Sequence, residues 1–405
     1  MGVSKIPNQR MNKGTQAIEG MLRSPCRVGS TQRRQAAELP ATVRALPVLD
    51  ATELPAATTP APPANYYQLT ADHCRDLAYR NSSLANLIES STLVHTGYCA
   101  TSQSQTCADL LRYNTATHLS LEARNRTAGA ALTLYYRILE LELKADVLTN
   151  SLTELDALVK TLDTLKDKGF KLPANAYELK KQRIELLGEQ AKLQSGLAKL
   201  NTELKALLAV DPNVPGFLLP ADAVKVSPDP LDADAAVQVG LARRADLNLL
   251  RTLQASTDHA TVPAVRAVLM GLTPVLGAVM PLPQRAYLMP YVAGLAKAEA
   301  CHLRNQLAAV LKDREREAIK EIRTAVGDWA TARDLVVISK QKFALAQDQQ
   351  LDLEKREKLG QNVDVELRLA RLEAYKLEAE VIADVVKWKL ADVKAREALG
   401  LLCGE

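Results

Sequence analysis

The chain has 405 residues, of which 47% are hydrophobic and 24% are charged, a balance that is typical of a folded protein. Aromatic residues make up only 4% and there are 18 glycines, so a sequence otherwise rich in Leu, Ala, Lys and Glu favours helix over sheet. The formal net charge is +4, but residues 1–44 contain eight basic and two acidic residues, which leaves a net charge of −2 for the remainder. The body of the chain has no basic stripe, so no nucleic-acid partner is expected.

Residues 1–64 are polar and basic at first, then rich in Pro, Ala and Thr, and they end in the run TTPAPPA. This composition predicts a disordered tail followed by a linker, with order beginning at Tyr66. The basic part has two interpretations, a solvated tail or a segment that contacts acidic lipid or nucleic acid. Residues 1–40 contain no apolar run of the 7–15 residues that a secretory signal requires.

Residues 65–211 are predicted to form the first of two repeats. The repeat begins with a short helix over 70–93, for which Thr70 is a suitable N-cap, and continues with a connector over 95–118. Two long helices are predicted next, over 119–168 and 175–208. Gly169 ends the first of them, and the few residues between the two predict an antiparallel hairpin.

Residues 212–230 are predicted to be a linker without regular helix, because prolines recur through this segment from Pro212 onward. Residues 231–405 then repeat the plan of the first half. The predicted elements are a short helix over 232–255, a connector rich in Pro and Gly over 261–290, and long helices over 291–359 and 363–402. Gly360 separates the two long helices.

The strongest pattern is a row of ten positions with alternating spacings of three and four residues, which is found in both halves. In the first half the row is Ala131, Leu134, Ile138, Leu141, Ala145, Leu148, Leu152, Leu155, Val159 and Leu162. In the second half, 191 residues later, it is Ile322, Ala325, Trp329, Ala332, Val336, Ser339, Phe343, Ala346, Gln350 and Leu353, of which eight are again apolar. A mean spacing of 3.5 residues keeps a narrow seam turned toward a partner helix, as in a coiled coil.

These observations predict an all-α fold, a tandem repeat of long antiparallel coiled-coil helical hairpins with little or no β-strand. One hairpin alone can bury only one apolar stripe, so a second stripe must be covered by the other hairpin or by another chain.

No sequence motif for catalysis or for a cofactor is present. The chain has no GxSxG, HExxH, P-loop or GxGxxG pattern, and its five histidines are scattered without metal-ligand spacing. We therefore expect no enzyme activity, no cofactor and no metal site. No cysteine pair has CxxC spacing, although Cys99 and Cys107 could form a disulfide in an oxidising compartment or remain thiols; the states of Cys74 and Cys301 are equally open.

The start of the first repeat carries a motif. The segment 69–84 reads LTADHCRDLAYRNSSL, which resembles the opening motif of the TolC-like outer-membrane efflux proteins, LTxxxAxxxAxxNNP. Leu69, Thr70, Ala78 and Asn81 stand at matching positions, whereas Cys74, Ser82 and Ser83 depart from the pattern.

The second repeat carries a related motif. The segment 240–250 reads GLARRADLNLL and resembles the family element ALxxRPDL, with Leu241, Arg244, Asp246 and Leu247 matching and Ala245 in place of the usual proline. The segment ALLAVDP, which ends at Pro212, is similar to the family's end of repeat one. The segment ALGL, which contains Gly400, is similar to its end of repeat two.

This resemblance covers most of the chain, from about 69 to 402, and it implies a homotrimer in the periplasm and outer membrane. In such proteins the helical hairpins form a hollow duct through which substrates leave, and a membrane-fusion (adaptor) protein and an inner-membrane pump act with it. The expected function is therefore part of an oligomeric helical exit duct for small molecules or proteins.

One departure from the family pattern concerns the membrane strands, which the family places where this chain has residues 95–118 and 257–290. Neither segment shows the sustained alternation of a membrane strand, and the second contains five prolines. We therefore expect the membrane β-barrel to be absent or vestigial. The apolar stretch 268–280 has three interpretations: contact with a membrane, packing on a neighbouring protomer, or a buried connector. The alternative functions are a non-transporting coiled-coil structural or adaptor protein of the cell envelope and a cytosolic scaffold.

Overall fold

The computed structural model describes residues 66–96, 103–167, 176–211, 213–222, 226, 231–258, 260–272 and 292–402. In chain order its elements are β1 (Tyr66–Leu69), α1 (Ala71–Asn81), α2 (Ser83–Thr96), α3 (Gln103–Asp167), α4 (Ala176–Leu207), β2 (Phe217–Pro220), α5 (Ala233–Arg243), α6 (Ala245–Ala255), α7 (Val262–Leu272), α8 (Val292–Lys358) and α9 (Asp364–Ala398).

Four long helices dominate the structure and lie side by side in the order α4, α3, α9, α8. Helix α4 packs on α3, α3 packs on α9, and α9 packs on α8. At about 1.5 Å per residue, the 65 residues of α3 extend for about 98 Å. The predicted all-α fold of two long helical hairpins is confirmed, with α3 and α4 forming one hairpin and α8 and α9 the other. Within the described residues α4 and α8 are the two edges of this layer, since they share no comparable contact.

The two predicted seams face the interior of the layer. None of their members is exposed, and Ile138, Leu155 and Leu162 in the first seam have no accessible surface. In the second seam Ile322 likewise has no accessible surface, and Trp329 is buried. The 3.5-residue rhythm therefore marks the side of each helix that packs on its neighbours. No helix in the described part of the chain combines the length and the hydropathy that crossing a bilayer demands.

The prediction for the first short helix and its connector was wrong in two places. The predicted single helix over 70–93 is broken at Ser82, whose buried hydroxyl lies 3.1 Å from that of Thr127. The predicted connector over 95–118 is helical from Gln103, so α3 begins well before residue 119. The reason is tertiary: Leu111 lies in an apolar cluster with Leu253 and Leu307 from distant parts of the chain, and this packing stabilises helix in a segment of mixed polarity.

The second half differs from the prediction in a parallel way. The predicted helix over 232–255 is two helices, α5 and α6, which meet at Arg244. The predicted connector over 261–290 contains helix α7, whose Val265 and Leu269 are buried in the same apolar cluster as Leu111. Residues 273–291 and the predicted tail over 1–64 lie outside the described residues.

The proline-rich segment contains no regular helix in its described residues, as predicted, but it contributes a short strand. Strand β2 pairs in parallel with β1, with Tyr66 opposite Phe217. Asn201 on α4 holds β2 in place, because its side chain donates to the Leu218 carbonyl at 2.8 Å and accepts from the Leu218 amide at 3.1 Å. Lys205 donates to two further carbonyls of this segment. The entry into the second half is thereby fastened to the hairpin of the first.

Candidate functional site

The first family-like motif forms the junction between β1 and α1. Leu69 ends β1 and is buried, and its carbonyl accepts a hydrogen bond from the Tyr135 hydroxyl at 3.0 Å. Thr70 is the N-cap of α1, since its hydroxyl accepts from the amide of His73 at 3.3 Å. Ala78 has no exposed surface, and a small residue there lets α1 lie close to α3. These three positions thus end strand β1, cap the N-terminus of α1 and form the contact between α1 and α3.

Asn81 fastens the start of the first hairpin to its end. It is the last residue of α1, and its side-chain amide donates to the carbonyl of Leu208 at 2.8 Å. Leu208 lies one residue beyond α4, and the next residue, Ala209, turns the chain with a left-handed φ of 54°. The motif asparagine therefore binds a helix-end carbonyl that has no partner within its own helix.

Arg244 makes the corresponding connection in the second half. It lies between α5 and α6, and its guanidinium donates to the carbonyl of Ala398, the last residue of α9, at 3.2 Å. The same guanidinium pairs with Asp246 at 2.8 Å and with Glu321 of α8 at 2.6 Å. Its side chain is only 8% exposed. Each half thus uses one polar side chain, at the end of its first helix, to hold the end of its last helix.

The charges around Arg244 are mutually compensated. Burial lowers the pKa of Arg244, but the hydrogen bonds and charges of Asp246 and Glu321 outweigh burial and raise the pKa above its ordinary value. Burial raises the pKa of Asp246, whereas Arg244 and Arg314 lower it by more, so the net shift is downward. Asp246 therefore stays ionised. Leu247, the next motif residue, is fully buried, and Leu241 is partly buried in the apolar cluster around Ile322.

Two of the glycines singled out in the sequence, one in the family-like segment ALGL and one between the last two long helices, occupy turns that require a positive φ. Gly400 has a φ of 70°, and a Cβ there would lie 3.4 Å from the carbonyl oxygen of Arg243 and from the Cα of Arg244. Gly360, between α8 and α9, has a φ of 83°. A side chain would be strained at both places. The predicted positions Gly169 and Pro212 lie outside the described residues.

The sequence analysis did not identify Asn125, which links the two halves directly. This buried residue of α3 donates to the carbonyl of Glu397 at 2.9 Å and accepts from the amide of Leu402 at 3.1 Å. The available signal was weak, since one asparagine in a helix is more often exposed than bonded to a distant main chain. Asn201 gave a better signal, because it stands among Leu197, Leu200 and Leu204, and a polar residue within such an apolar row often has a specific partner.

The three cysteines in the described part of the chain contribute no side chain to these hydrogen bonds. Cys74 is buried and burial raises its pKa to about 12, so it stays a thiol at neutral pH. Cys107 and Cys301 are exposed and not in disulfides. The predicted alternative of a disulfide between Cys99 and Cys107 involves a residue outside the described part.

We expect the variant Glu397→Gln to be more stable than the parent protein at pH 7. Burial raises the pKa of Glu397, the charge of Glu122 raises it further, and Arg126 lowers it. A carboxyl with a raised folded-state pKa binds more protons when folded, so its contribution to stability falls as pH rises from below 4.5 through the folded pKa. The parent therefore carries a penalty at pH 7 that glutamine lacks.

Urea unfolding measured at pH 7 and again below pH 4.5 checks this prediction. The advantage of Glu397→Gln should be present at pH 7 and vanish at the lower pH, where the parent carboxyl is protonated in both states. If Glu397→Gln were more stable than the parent by the same amount at both pH values, the effect would come from packing and not from the ionisation of Glu397.

Both edge helices of the layer carry exposed apolar residues on the side away from the seam. On α8 these include Val337, Ile338 and Leu345, of which Leu345 is 70% exposed. On α4 they are Tyr177 and Ile184, which are seven residues apart and therefore share one row. We call these the α8 edge and the α4 edge. In the described part of the chain most of the surface of these side chains is exposed, an arrangement that is typical of surfaces covered by another molecule.

The structure is similar to solved outer-membrane proteins. The outer-membrane protein VceC of Vibrio cholerae superposes with a TM-score of 0.57 at 12% identity, over 82% of this chain and 96% of that chain. The CmeC outer-membrane channel of Campylobacter jejuni gives a TM-score of 0.54 at 11% identity, over 89% and 95%. A membrane protein of Pseudomonas aeruginosa gives 0.56 at 13% identity, over 81% and 93%.

In sequence the chain stands further apart, since no protein-family model and no curated protein matches it. The superpositions nevertheless extend over almost the full length of the three solved proteins. The protein therefore has the fold of the TolC-like outer-membrane efflux channels.

Proposed function

We propose that the chain is one protomer of an oligomeric helical exit duct in the periplasm and outer membrane, with a role in efflux and no enzymatic activity. The observation that carries this proposal is the pair of open edges on the helix layer. Each edge presents large apolar side chains that no described part of the same chain covers. A duct would cover both edges, because each protomer would meet a neighbour on either side.

The two edges differ from each other, and this determines the kind of assembly that they favour. A contact between the α8 edge of one copy and the α4 edge of the next joins two different surfaces, so it is heterologous. Heterologous contacts form rings when the rotation between copies closes. The resemblance to TolC-like proteins makes three the expected number of copies, and it makes an adaptor protein and an inner-membrane pump the expected partners.

We expect the double variant Ile338→Glu with Leu345→Glu to convert the trimer into monomers. Two carboxylates on the α8 edge would have to lose their water when a neighbouring copy covers that edge, which is strongly unfavourable. Sedimentation equilibrium of the full chain measures the change in mass. The matched control, Lys340→Glu with Gln347→Glu, places the same side chains at the same spacing on exposed positions of α8 that face away from Ile338 and Leu345, and it should remain trimeric.

A parent protein that sediments as a monomer would contradict a duct of any kind. If the control dissociates as readily as the edge variant, the α8 edge is not the contact surface. For transport, ion conductance in planar bilayers by the purified trimer but not by the monomeric variant would support the duct. A stable trimer without conductance would favour the non-transporting structural or adaptor protein.

A further inference from the structure

A cavity of about 260 Å³ lies between α1, α3 and α9, apart from the edges that the proposed duct uses. Its charged side chains are Asp72, Arg75, Asp222, Lys389, Asp392 and Arg396, so the formal charges of its wall sum to zero. The remaining wall is largely apolar and includes Leu132, Val393 and Leu402. The volume is just below the range of about 300–1,000 Å³ that is typical of ligand pockets, so the cavity suits a small molecule.

Most of these charges neutralise one another. Arg75 pairs with Asp72 at 3.3 Å and also with Asp76. Arg396 lies 3.1 Å from the Asp392 carboxylate one turn earlier on α9. Among the described residues, this pairing leaves one cation and one anion of the wall, Lys389 and Asp222, without an ion pair.

Asp222 is held in a fixed orientation by neutral donors. One of its oxygens accepts from the amide of Ala71 at 2.6 Å and lies 2.9 Å from the hydroxyl of Tyr135, which shares its single proton with the Leu69 carbonyl. Neither donor carries a positive charge, so these two contacts are not ion pairs. The group is placed and oriented, but it is not neutralised.

Lys389 is placed by aromatic rings instead of by a carboxylate. Its ammonium lies 4.7 Å from the ring centroid of Trp388 and 5.9 Å from that of Tyr136. Burial lowers the pKa of Lys389, while Asp392 and Asp222 raise it by less. Lys389 and Asp222 thus influence each other across the cavity without making direct contact.

We propose that this cavity binds a small zwitterion of the α-amino acid class, with its carboxylate on Lys389 and its ammonium on Asp222. Such a ligand neutralises both unpaired groups at once and adds no net charge to a neutral wall. A ligand with one charge would leave the opposite wall charge unmatched in a partly buried site, which is costly. The apolar part of the wall favours an aliphatic side chain. The proposal depends on the cavity alone and does not require that the chain forms a duct.

Calorimetric titration of the purified full chain with L-valine, up to about 10 mM, tests the proposal. Two analogues separate the charges: isovalerate is valine without its ammonium group, and isobutylamine is valine without its carboxylate. We expect L-valine to bind and each analogue to bind at least about tenfold more weakly, since each loses one charge-assisted contact.

Two variants assign the contacts to residues. Lys389→Met and Asp222→Asn should each weaken L-valine binding by about tenfold or more. In Asp222→Asn the side-chain oxygen can still accept hydrogen bonds from Ala71 and Tyr135, so the local fold should be retained. The control Lys387→Met removes a lysine of α9 that is 65% exposed, and it should bind L-valine as the parent does. Far-UV circular dichroism verifies that each variant is folded.

Binding of the two analogues to the parent protein tests the proposal even if a variant fails to fold. Equal binding of isovalerate and L-valine would show a site for anions, and equal binding of isobutylamine would show a site for cations; either result overturns the proposal. No heat of binding for L-valine up to the highest concentration would show that the cavity holds only water, and it would overturn the proposal as well.

Discussion

Arg244→Met is expected to lower the free energy of unfolding by about 3 kcal/mol, because it removes one partner from a buried ion network. The guanidinium joins Asp246, Glu321 and the Ala398 carbonyl, so its loss leaves two carboxylates and a helix-end carbonyl with fewer donors. Arg314 lies 2.9 Å from Asp246 and 3.1 Å from Glu321 and keeps part of the compensation. This residual pairing places the expected cost at the lower end of the range for broken buried pairs.

Chemical denaturation followed by circular dichroism measures this loss, with all proteins at one concentration because assembly would contribute to stability. The control is Arg316→Met on α8. The Arg316 side chain is 69% exposed and pairs with Asp313 at 3.8 Å. We expect that control to change stability by less than about 0.5 kcal/mol. A similar small change for Arg244→Met would show that the network around the motif arginine does not stabilise the junction.

The second large effect is expected for Leu148→Asp, which should cost more than about 3 kcal/mol. Leu148 is a member of the first seam and is 7% exposed. Aspartate there loses the apolar contacts of leucine and also places an unpaired carboxylate between packed helices. The cost should be smaller at acid pH, where the new carboxyl can be protonated.

Denaturant unfolding of Leu148→Asp and of Thr153→Asp provides the comparison. Thr153 is on the exposed side of α3, so the same side chain introduced there stays in water. We expect the control to change stability by less than about 0.5 kcal/mol. Equal costs at the two positions would mean that the seam register is wrong, which would also remove the basis for the predicted hairpins.

The ends of most long helices could be predicted because they depend on local chemistry. Helix α4 was predicted over 175–208 and observed at Ala176–Leu207, and α8 was predicted over 291–359 and observed at Val292–Lys358. Proline cannot continue a helix, and glycine is favoured in the turn that follows a helix end, so both act through local chemistry. The beginning of α3 was missed because Leu111 gains its partners from α6, α7 and α8, which the local sequence does not reveal.

The motif positions were found by resemblance, but their physical roles depend on distant partners. Asn81 binds a carbonyl 127 residues away, and Arg244 binds one 154 residues away. The pairing of Asp222 with the Tyr135 hydroxyl, and the absence of an ion pair at Lys389 among the described residues, likewise follow from how the helices meet. No spacing in the sequence indicates such contacts.

By itself the sequence determined the helical class, the two hairpins and the side of each long helix that is buried, since these follow from a short apolar period and from residues that end helices. The tertiary structure alone decided the order α4, α3, α9, α8, the breaks at Ser82 and Arg244, and the cavity beside Lys389. Those features depend on hydrogen bonds, ion pairs and apolar contacts between side chains that are far apart in the chain. Such contacts form only after the helices have packed.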